Sequence, residues 1–266
     1  SLLGQTMSDF ELVISDNASD DDTAAICQEF LRRDHRIRYF RQPRNLGAPA
    51  NWNFVARQAR GIYFKWAGAR DLCDREFLAK CLRVLESDDS AVLCYGRTVF
   101  IDEHDHVVGD PVPDLQVLED RPSDRFRHVC RNLLLNNAQC GLIRMAALRR
   151  TRLDRSYPNG DSVLMAELAL QGKFILLGET LFLRRLHRRP DGSVQTGSRT
   201  SDELLQMFWP GADRPSRFLN VRRHADFFFS ALAAPVPPGE RIRAAAMSLK
   251  GLYWDRRGIQ SDFARA

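Results

Sequence analysis

The feature that most constrains the fold is the alternation of short apolar runs with amphipathic ones through the first hundred residues. "FELVIS" (10–15), "RIRYF" (36–40), "IYFKWA" (62–67) and "AVLCYGRTVFI" (91–101) each have the length and the β-branched or aromatic content of a strand. Between the first two lies "DNASDDDT", a run of turn formers in which Ser19 or Asp20 can cap a helix reaching Arg33. A helix over residues 50–59 follows the loop "RQPRNLGAP", and Phe77, Leu78, Cys81, Leu82 and Leu85 recur at helical spacing within 75–86. Strands separated by helices need crossover connections, so this rhythm predicts an α/β fold with a Rossmann-type, mostly parallel sheet flanked by helices. Ligands on such sheets gather at the carboxyl ends of the strands. That edge is expected to carry both Asp16 and the turn Ala69–Arg70–Asp71.

The later sequence is less regular. "DEHDHVVG" reads as a hairpin tip, "SDRFRHVCRNLLLN" (123–136) as a helix and "CGLIR" (140–144) as a strand. "DSVLMAELALQG" (161–172) is a helix stopped by Gly172, and "KFILLG" and "TLFLRRLH" read as two further strands. From residue 200 onward the pattern is helical and Arg-rich. The expected division is therefore an α/β domain over 1–198 and a helical extension over 199–266.

Charge and composition narrow the function. The net charge of +5 is only mildly uneven, with 10 basic against 7 acidic residues over 201–266. Such a tilt suits an anionic surface or a phosphorylated ligand, and no recognition helix or RNA-binding aromatic pattern argues for nucleic acid. Cys27, Cys73, Cys81, Cys94, Cys130 and Cys140 form no Cys-x-x-Cys pair, which favours buried free thiols in a reducing cytoplasm. The run "FFFSALAAPV" is too short to span a bilayer. The arginines and aromatics of 217–235 instead suggest a helix docked on the catalytic domain, or peripheral contact with the inner face of a membrane.

Three blocks carry a resemblance: "SLLGQTMSDFELVISDNASDDDT", "RNLGAPANWNFVARQARGIYFKWA" and "NGDSVLMAELALQGKFILLGETLFLRRLH". In order and spacing they resemble the family 2 glycosyltransferases, which have the GT-A fold. The resemblance implies transfer of a sugar, with inversion, from a nucleotide-diphosphate donor to an acceptor hydroxyl, in surface glycan or polysaccharide assembly. It implies a glycan or lipid-linked acceptor and a cytoplasmic site of action; it leaves the oligomeric state open. It also implies that a first strand and a donor loop precede residue 1.

Position by position, the resemblance assigns Asp16 to the nucleotide base, against the local alternative of an Asx-turn in "SDNAS". Asn45 and Gly47 belong to the Asn-x-Gly donor loop, Gly47 also being suited to a backbone turn, and Asn53 matches a recurrent asparagine. Asp161 is the expected catalytic base, taking the proton of the attacking hydroxyl, and equally stands where a helix cap belongs. Arg185 and His187 resemble an Arg-x-His near the donor phosphates, whereas Arg184 reads as a solvated charge beside Arg188 and Arg189.

The sequence departs from the family at the turn. Relatives place acids where Ala69–Arg70–Asp71 stands, and their principal metal ligand falls on Arg70. Asp71 alone is a poor site for Mn or Mg unless His187 and substrate phosphates complete it. Arg70 can instead meet the diphosphate directly, because a guanidinium makes bidentate hydrogen bonds and carries a permanent charge. The alternative function is a catalytically silent relative that binds a nucleotide sugar or serves as a scaffold.

Overall fold

In the computed structural model, which describes residues 1–109, 114–186, 201–214 and 216–264, the strands form two sheets. β1 (Leu12–Asp16) and β2 (Ile37–Arg41) form a parallel pair, joined through α1 (Thr23–Arg33). α1 starts later than the sequence suggests. Asp16 draws the Ser19 N–H into an Asx-turn, so Ser19 does not cap the helix; Asp21 instead accepts from the N–H and hydroxyl of Thr23. α2 (Ala48–Gln58) then leads toward the main sheet.

The main sheet has five strands: β3 (Tyr63–Phe64), β4 (Leu72–Cys73), β5 (Ala91–Ile101), β6 (Leu142–Arg144) and β7 (Lys173–Arg185). They lie in the order β3-β6-β5-β7-β4. β5 and β7 are parallel, but β3·β6, β5·β6 and β4·β7 are antiparallel. The sheet is therefore mixed, which corrects the expectation of a mostly parallel one. Short strands inserted between long crossovers cause the difference: β4 holds too few residues for any hydrophobic period to be legible, and the run containing β6 does not reveal its antiparallel direction. "KFILLG" and "TLFLRRLH" also join into the single strand β7, because Gly178 and Glu179 bulge out between the pairs Gly96↔Leu177 and Arg97↔Thr180.

Helices cover the sheet. α3 (Phe77–Ser87) buries Phe77, Leu78, Cys81 and Leu85. α4 (Pro122–Asn132), the short α5 (Met145–Leu148) and α6 (Asp161–Gln171) follow. α6 is apolar nearly all round, and every residue from Val163 to Leu170 is buried. It packs against α4 and against α8 (Leu219–Ala233) of a C-terminal layer that also contains α7 (Ser201–Phe208), α9 (Pro238–Trp254) and α10 (Arg256–Ala264). Phe227 of α8 is buried edge-to-face against Phe126 of α4, as a docked helix requires. Phe229 faces outward.

The six cysteines are free; four are buried, whereas Cys27 is half-buried and Cys130 exposed. Among the described residues no helix is long and apolar enough to cross a membrane.

Candidate active site

Strand pairing assembles the site. β4 runs antiparallel to the end of β7, with Leu72 opposite Leu183 and Cys73 opposite Phe182. This brings the Arg70–Asp71 turn beside Arg184 and Arg185. The Asp71 carboxylate accepts the backbone N–H of Arg185 at 3.0 Å, and the Arg70 carbonyl accepts from Arg185 Nε at 3.0 Å. The rest of the Arg185 guanidinium bonds to the Asp102 carbonyl and the Asp105 carboxylate at the hairpin tip. Arg185 thus holds the turn to the hairpin.

Alternation along a strand sends its neighbour the other way. Arg184 lines a cavity of about 1120 Å³ and donates to Asn137 Oδ1 at 2.9 Å, so it is not a solvated surface charge. Asp71 lines the same cavity, while Arg70 is exposed at the turn. His187, the other phosphate-side expectation, lies outside the described residues.

Asp161 enters the cavity from the start of α6. It is the first helical residue and not the cap. Its Oδ1 accepts the N–H of Ser162 at 3.0 Å, and its Oδ2 accepts from Asn136 Nδ2 at 2.9 Å. Asn136 precedes a 3-10 turn, Asn137–Cys140, that also carries Asn137 and Gln139 to the cavity wall. Asp154, which the sequence did not single out, lines the cavity as well, and its Oδ2 accepts from Gln139 Nε2 at 2.8 Å. Burial, together with the negative charge of Asp161, pushes the Asp154 carboxyl up to about 7.

Asn53 is buried in α2, with both ends of its amide engaged. It donates to the Asp154 carbonyl at 2.9 Å and accepts the Asp154 N–H at 3.0 Å. Its position is that of a clamp on the loop that carries the acids. Asn45 and the neighbouring Asn17 form a second clamp. Asn45 Oδ1 accepts from Asn17 Nδ2 at 2.7 Å and from the Gly47 N–H at 2.8 Å, while Asn17 Oδ1 accepts the Leu46 N–H. Gly47 has φ +82°, and a Cβ there would stand 3.1 Å from the Met207 carbonyl, so only glycine fits between the loop and α7.

Asp16 ends β1 with its side chain fully buried. It accepts the Ser19 N–H and the Tyr39 hydroxyl, both at 2.8 Å, with Arg41 Nε at 3.7 Å. Burial works to raise its pKa, but these partners outweigh burial and hold the carboxyl below its ordinary range. Burial and the Asp16 charge push the Tyr39 phenol up to about 12.

The C-terminal layer closes the cavity. Met207 and Phe208 of α7, Arg223, His224 and Phe227 of α8, and Met247 and Ser248 of α9 line it from that side. His224 pairs with Asp255 at 3.1 Å, and burial keeps its imidazole below the ordinary histidine range.

Residues 1–154 match the family described as Glycosyl transferase family 2. The chain belongs to that family. A curated relative, an uncharacterized glycosyltransferase of Methanocaldococcus jannaschii, is 29% identical over 115 residues, 43% of this chain and 40% of that protein. The fold resembles Staphylococcus aureus TarS, solved with UDP-GlcNAc, with a TM-score of 0.61 at 15% identity over 95% of this chain and 66% of TarS 1-349. It also resembles the mannosyltransferase PcManGT of Pyrobaculum calidifontis, solved with GDP-Man and Mn2+, with a TM-score of 0.53 at 13% identity over 96% of this chain and 69% of that one. The GT-A-like architecture is thereby established, as a mixed α/β fold with helices at the C-terminus.

Among the described residues, which leave out His187, no complete donor set for a divalent cation is assembled. One Asp71 oxygen is engaged by β7, and among the described residues no group of three His, Cys, Asp or Glu side chains stands close enough to hold a metal ion.

Proposed function

We propose that this chain transfers a sugar from a nucleotide-diphosphate donor to an acceptor hydroxyl with inversion, with Asp161 as the base. The observation that carries the reading is the position of Asp161 in a cavity that also holds Arg184 and Asp71. A cation on one wall and a carboxylate on another are what the reaction needs. The departing nucleoside diphosphate gains negative charge, which fixed cations stabilise, while the attacking hydroxyl must lose a proton. Family membership and the likeness to TarS support a nucleotide-sugar donor. The cavity volume of about 1120 Å³ supports room for an acceptor beside it.

In this reading residues 1–198 bind the donor and the extension over 199–266 closes the acceptor side. Asp16, buried against Ser19, Tyr39 and Arg41, belongs to the base side of the donor site, and Asn45, Gly47 and Asn53 shape the donor pocket through the loops they clamp. Arg70 and Arg184 meet the diphosphate, Arg185 holds the turn in place, and the family resemblance assigns His187 to the same phosphates. A glycan or lipid-linked acceptor of surface polysaccharide assembly suits this arrangement. The acid-poor turn favours a second reading, a silent nucleotide-sugar-binding relative.

A screen of UDP-, GDP- and dTDP-sugars for donor hydrolysis and transfer tests the proposal. Turnover with one donor is expected, and binding without turnover for any donor supports the silent relative. Donor binding is expected to survive EDTA, and Arg70→Ala to weaken it by about 1–3 kcal/mol, the scale of a charged hydrogen-bond partner. Isothermal titration with and without chelator measures both. Binding abolished by EDTA would transfer the phosphate role to a cation held by Asp71.

A further inference from the structure

The outer side of α9 breaks the usual pattern of a surface helix, which turns its polar residues to water. Ile242, Leu249 and Tyr253 are 66%, 51% and 69% exposed. At i, i+7 and i+11 they stand in one line along the helix, with the exposed Ala246 between them. Cations flank the line. Lys250 is exposed and has no acidic partner among the described residues, and the Arg256 guanidinium lies over the Tyr253 ring at 5.4 Å from its centroid. Arg243 is exposed as well and donates to Glu240 at 2.9 Å. The acids turn toward the protein: Glu240 accepts the Ser123 N–H at 2.9 Å, and Asp255, just after the helix, accepts from Arg223 at 2.7 Å. α9 therefore presents an apolar ridge between cations, with its carboxylates behind it.

Charge and size decide what can cover this ridge. It is a single line of large side chains, whereas a specific protein interface engages about 20–30 residues a side. A second copy meeting it across a two-fold axis would bring the same cations to both sides, where they repel. An anionic lipid surface fits both features. The apolar line enters the acyl boundary, the cations meet the headgroups, and a tyrosine at that level keeps its ring in the apolar layer and its hydroxyl in the polar one. α8, where the sequence suggested such contact, is instead docked through Phe227, although Phe229 and Leu232 remain exposed on it.

We propose that α9 lies in the surface of an anionic membrane, with Ile242, Leu249 and Tyr253 in the lipid and Arg243, Lys250 and Arg256 at the headgroups. The other side of the same helix gives the orientation its consequence. Met247, Ser248, Gly251 and Asp255 line the cavity, so the wall between that part of the cavity and the ridge is α9 itself, about 10–12 Å across. A membrane-anchored acceptor then has its lipid and the cavity on the two sides of one helix. That consequence rests on the sugar-transfer reading; the docking of α9 does not.

Co-sedimentation of the full chain with phosphatidylcholine vesicles, with and without phosphatidylglycerol, tests the docking. Binding is expected only with phosphatidylglycerol, and is expected to weaken as salt is raised. Lys250→Gln is expected to lower the affinity about fivefold, the contribution of one cation near the surface. Ile242→Ser combined with Leu249→Ser is expected to lower it at least about tenfold. Ile26→Ser, which removes a comparably exposed side chain from α1, is expected to leave it unchanged, with circular dichroism showing every variant folded. No sedimentation with phosphatidylglycerol at low salt, or sedimentation that the α9 variants do not weaken, overturns the proposal. So does a dimer in solution that the Ile242 and Leu249 substitutions dissociate, since the ridge then covers itself. A donor screen without turnover counts against sugar transfer, and the vesicle result then judges the docking by itself.

Discussion

Three aspartates in this chain show how environment divides one residue type into different roles. Asp16 is surrounded by donors and lies below its ordinary range; Asp154 has a donor for one oxygen only and lies above it. Asp161 keeps its carboxylate at the cavity with two amide donors. Its replacement by Asn keeps an acceptor for one of these two donors but removes the proton acceptor. Turnover is expected to fall by about 10²-fold or more, as for loss of a general base, with the melting temperature nearly unchanged. Normal turnover in a folded variant would restrict Asp161 to its local hydrogen bonds. For Asp16 the prediction concerns stability. A carboxyl with a depressed folded pKa stabilises the fold above its ordinary value of 3.8, and this contribution is lost as pH falls through the folded value. Asp16→Asn is therefore expected to lower the urea midpoint at pH 7 by an amount equivalent to about 1–2 kcal/mol. The gap to the unmodified protein should narrow in acid; a gap independent of pH would remove the charge from the explanation.

Among the elements, the β5–β7 ladder decides where the site forms. The irregularities at Gly178–Glu179 and at Leu181 together shift the register of β7 by an odd number of residues before Arg184, and so set which of the two arginines faces the cavity. Gly96 lies at that register shift because β7 comes close there: an added Cβ would lie 2.6 Å from the Leu181 side chain. Gly96→Ala is expected to destabilise the chain by about 1–3 kcal/mol through overpacking, measured as a lower denaturant midpoint. An unchanged midpoint would mean that Leu181 can move aside. The strands β1, β2 and β5 were readable in the sequence, since each carries its own apolar run. β4 was not, because its two residues are a strand only by virtue of their partner in β7. The same dependence hid Arg184: periodicity distinguishes the two faces of a strand but does not say which face meets a cavity.

For the molecule as a whole, the C-terminal layer is joined to the α/β part by a buried polar network as well as by apolar contact. Glu167 in α6 accepts from Arg152 and Arg155 at 3.0 Å each and from Ser230 of α8 at 2.7 Å. Asp226 of α8 accepts the Tyr157 hydroxyl at 2.6 Å. Glu167 is 8% exposed, so truncating it removes the buried acceptor shared by Arg152, Arg155 and Ser230 and leaves Asp226 as the remaining carboxylate beside the two arginines. Glu167→Ala is expected to cost about 3 kcal/mol and to loosen α8 from α6, seen as faster hydrogen exchange in both helices. Exchange confined to α8 would show that the layer docks by its apolar face alone. The layer matters to function because Arg223, His224 and Phe227 reach the cavity from it.

By itself the sequence determined the sheet-and-helix character of the chain, the family resemblance, the position of Asp161 at a helix start and the loss of acids from the Ala69–Asp71 turn. Each is written in contiguous residues: apolar runs, turn formers and short motifs act locally, so they can be read without a partner strand. Only the tertiary structure decided that the sheet is mixed, that Arg184 and not Arg185 faces the cavity, and that Asp154 lies in the same cavity as Asp161. Those outcomes depend on strand register and burial, which couple residues far apart in the chain: Asn53 holds Asp154, and Asp71 meets Arg185, across intervals of 101 and 114 residues. Burial is a property of what surrounds a group, and for Asp154 the surroundings come from α2, the Asn137–Cys140 turn and α6 together.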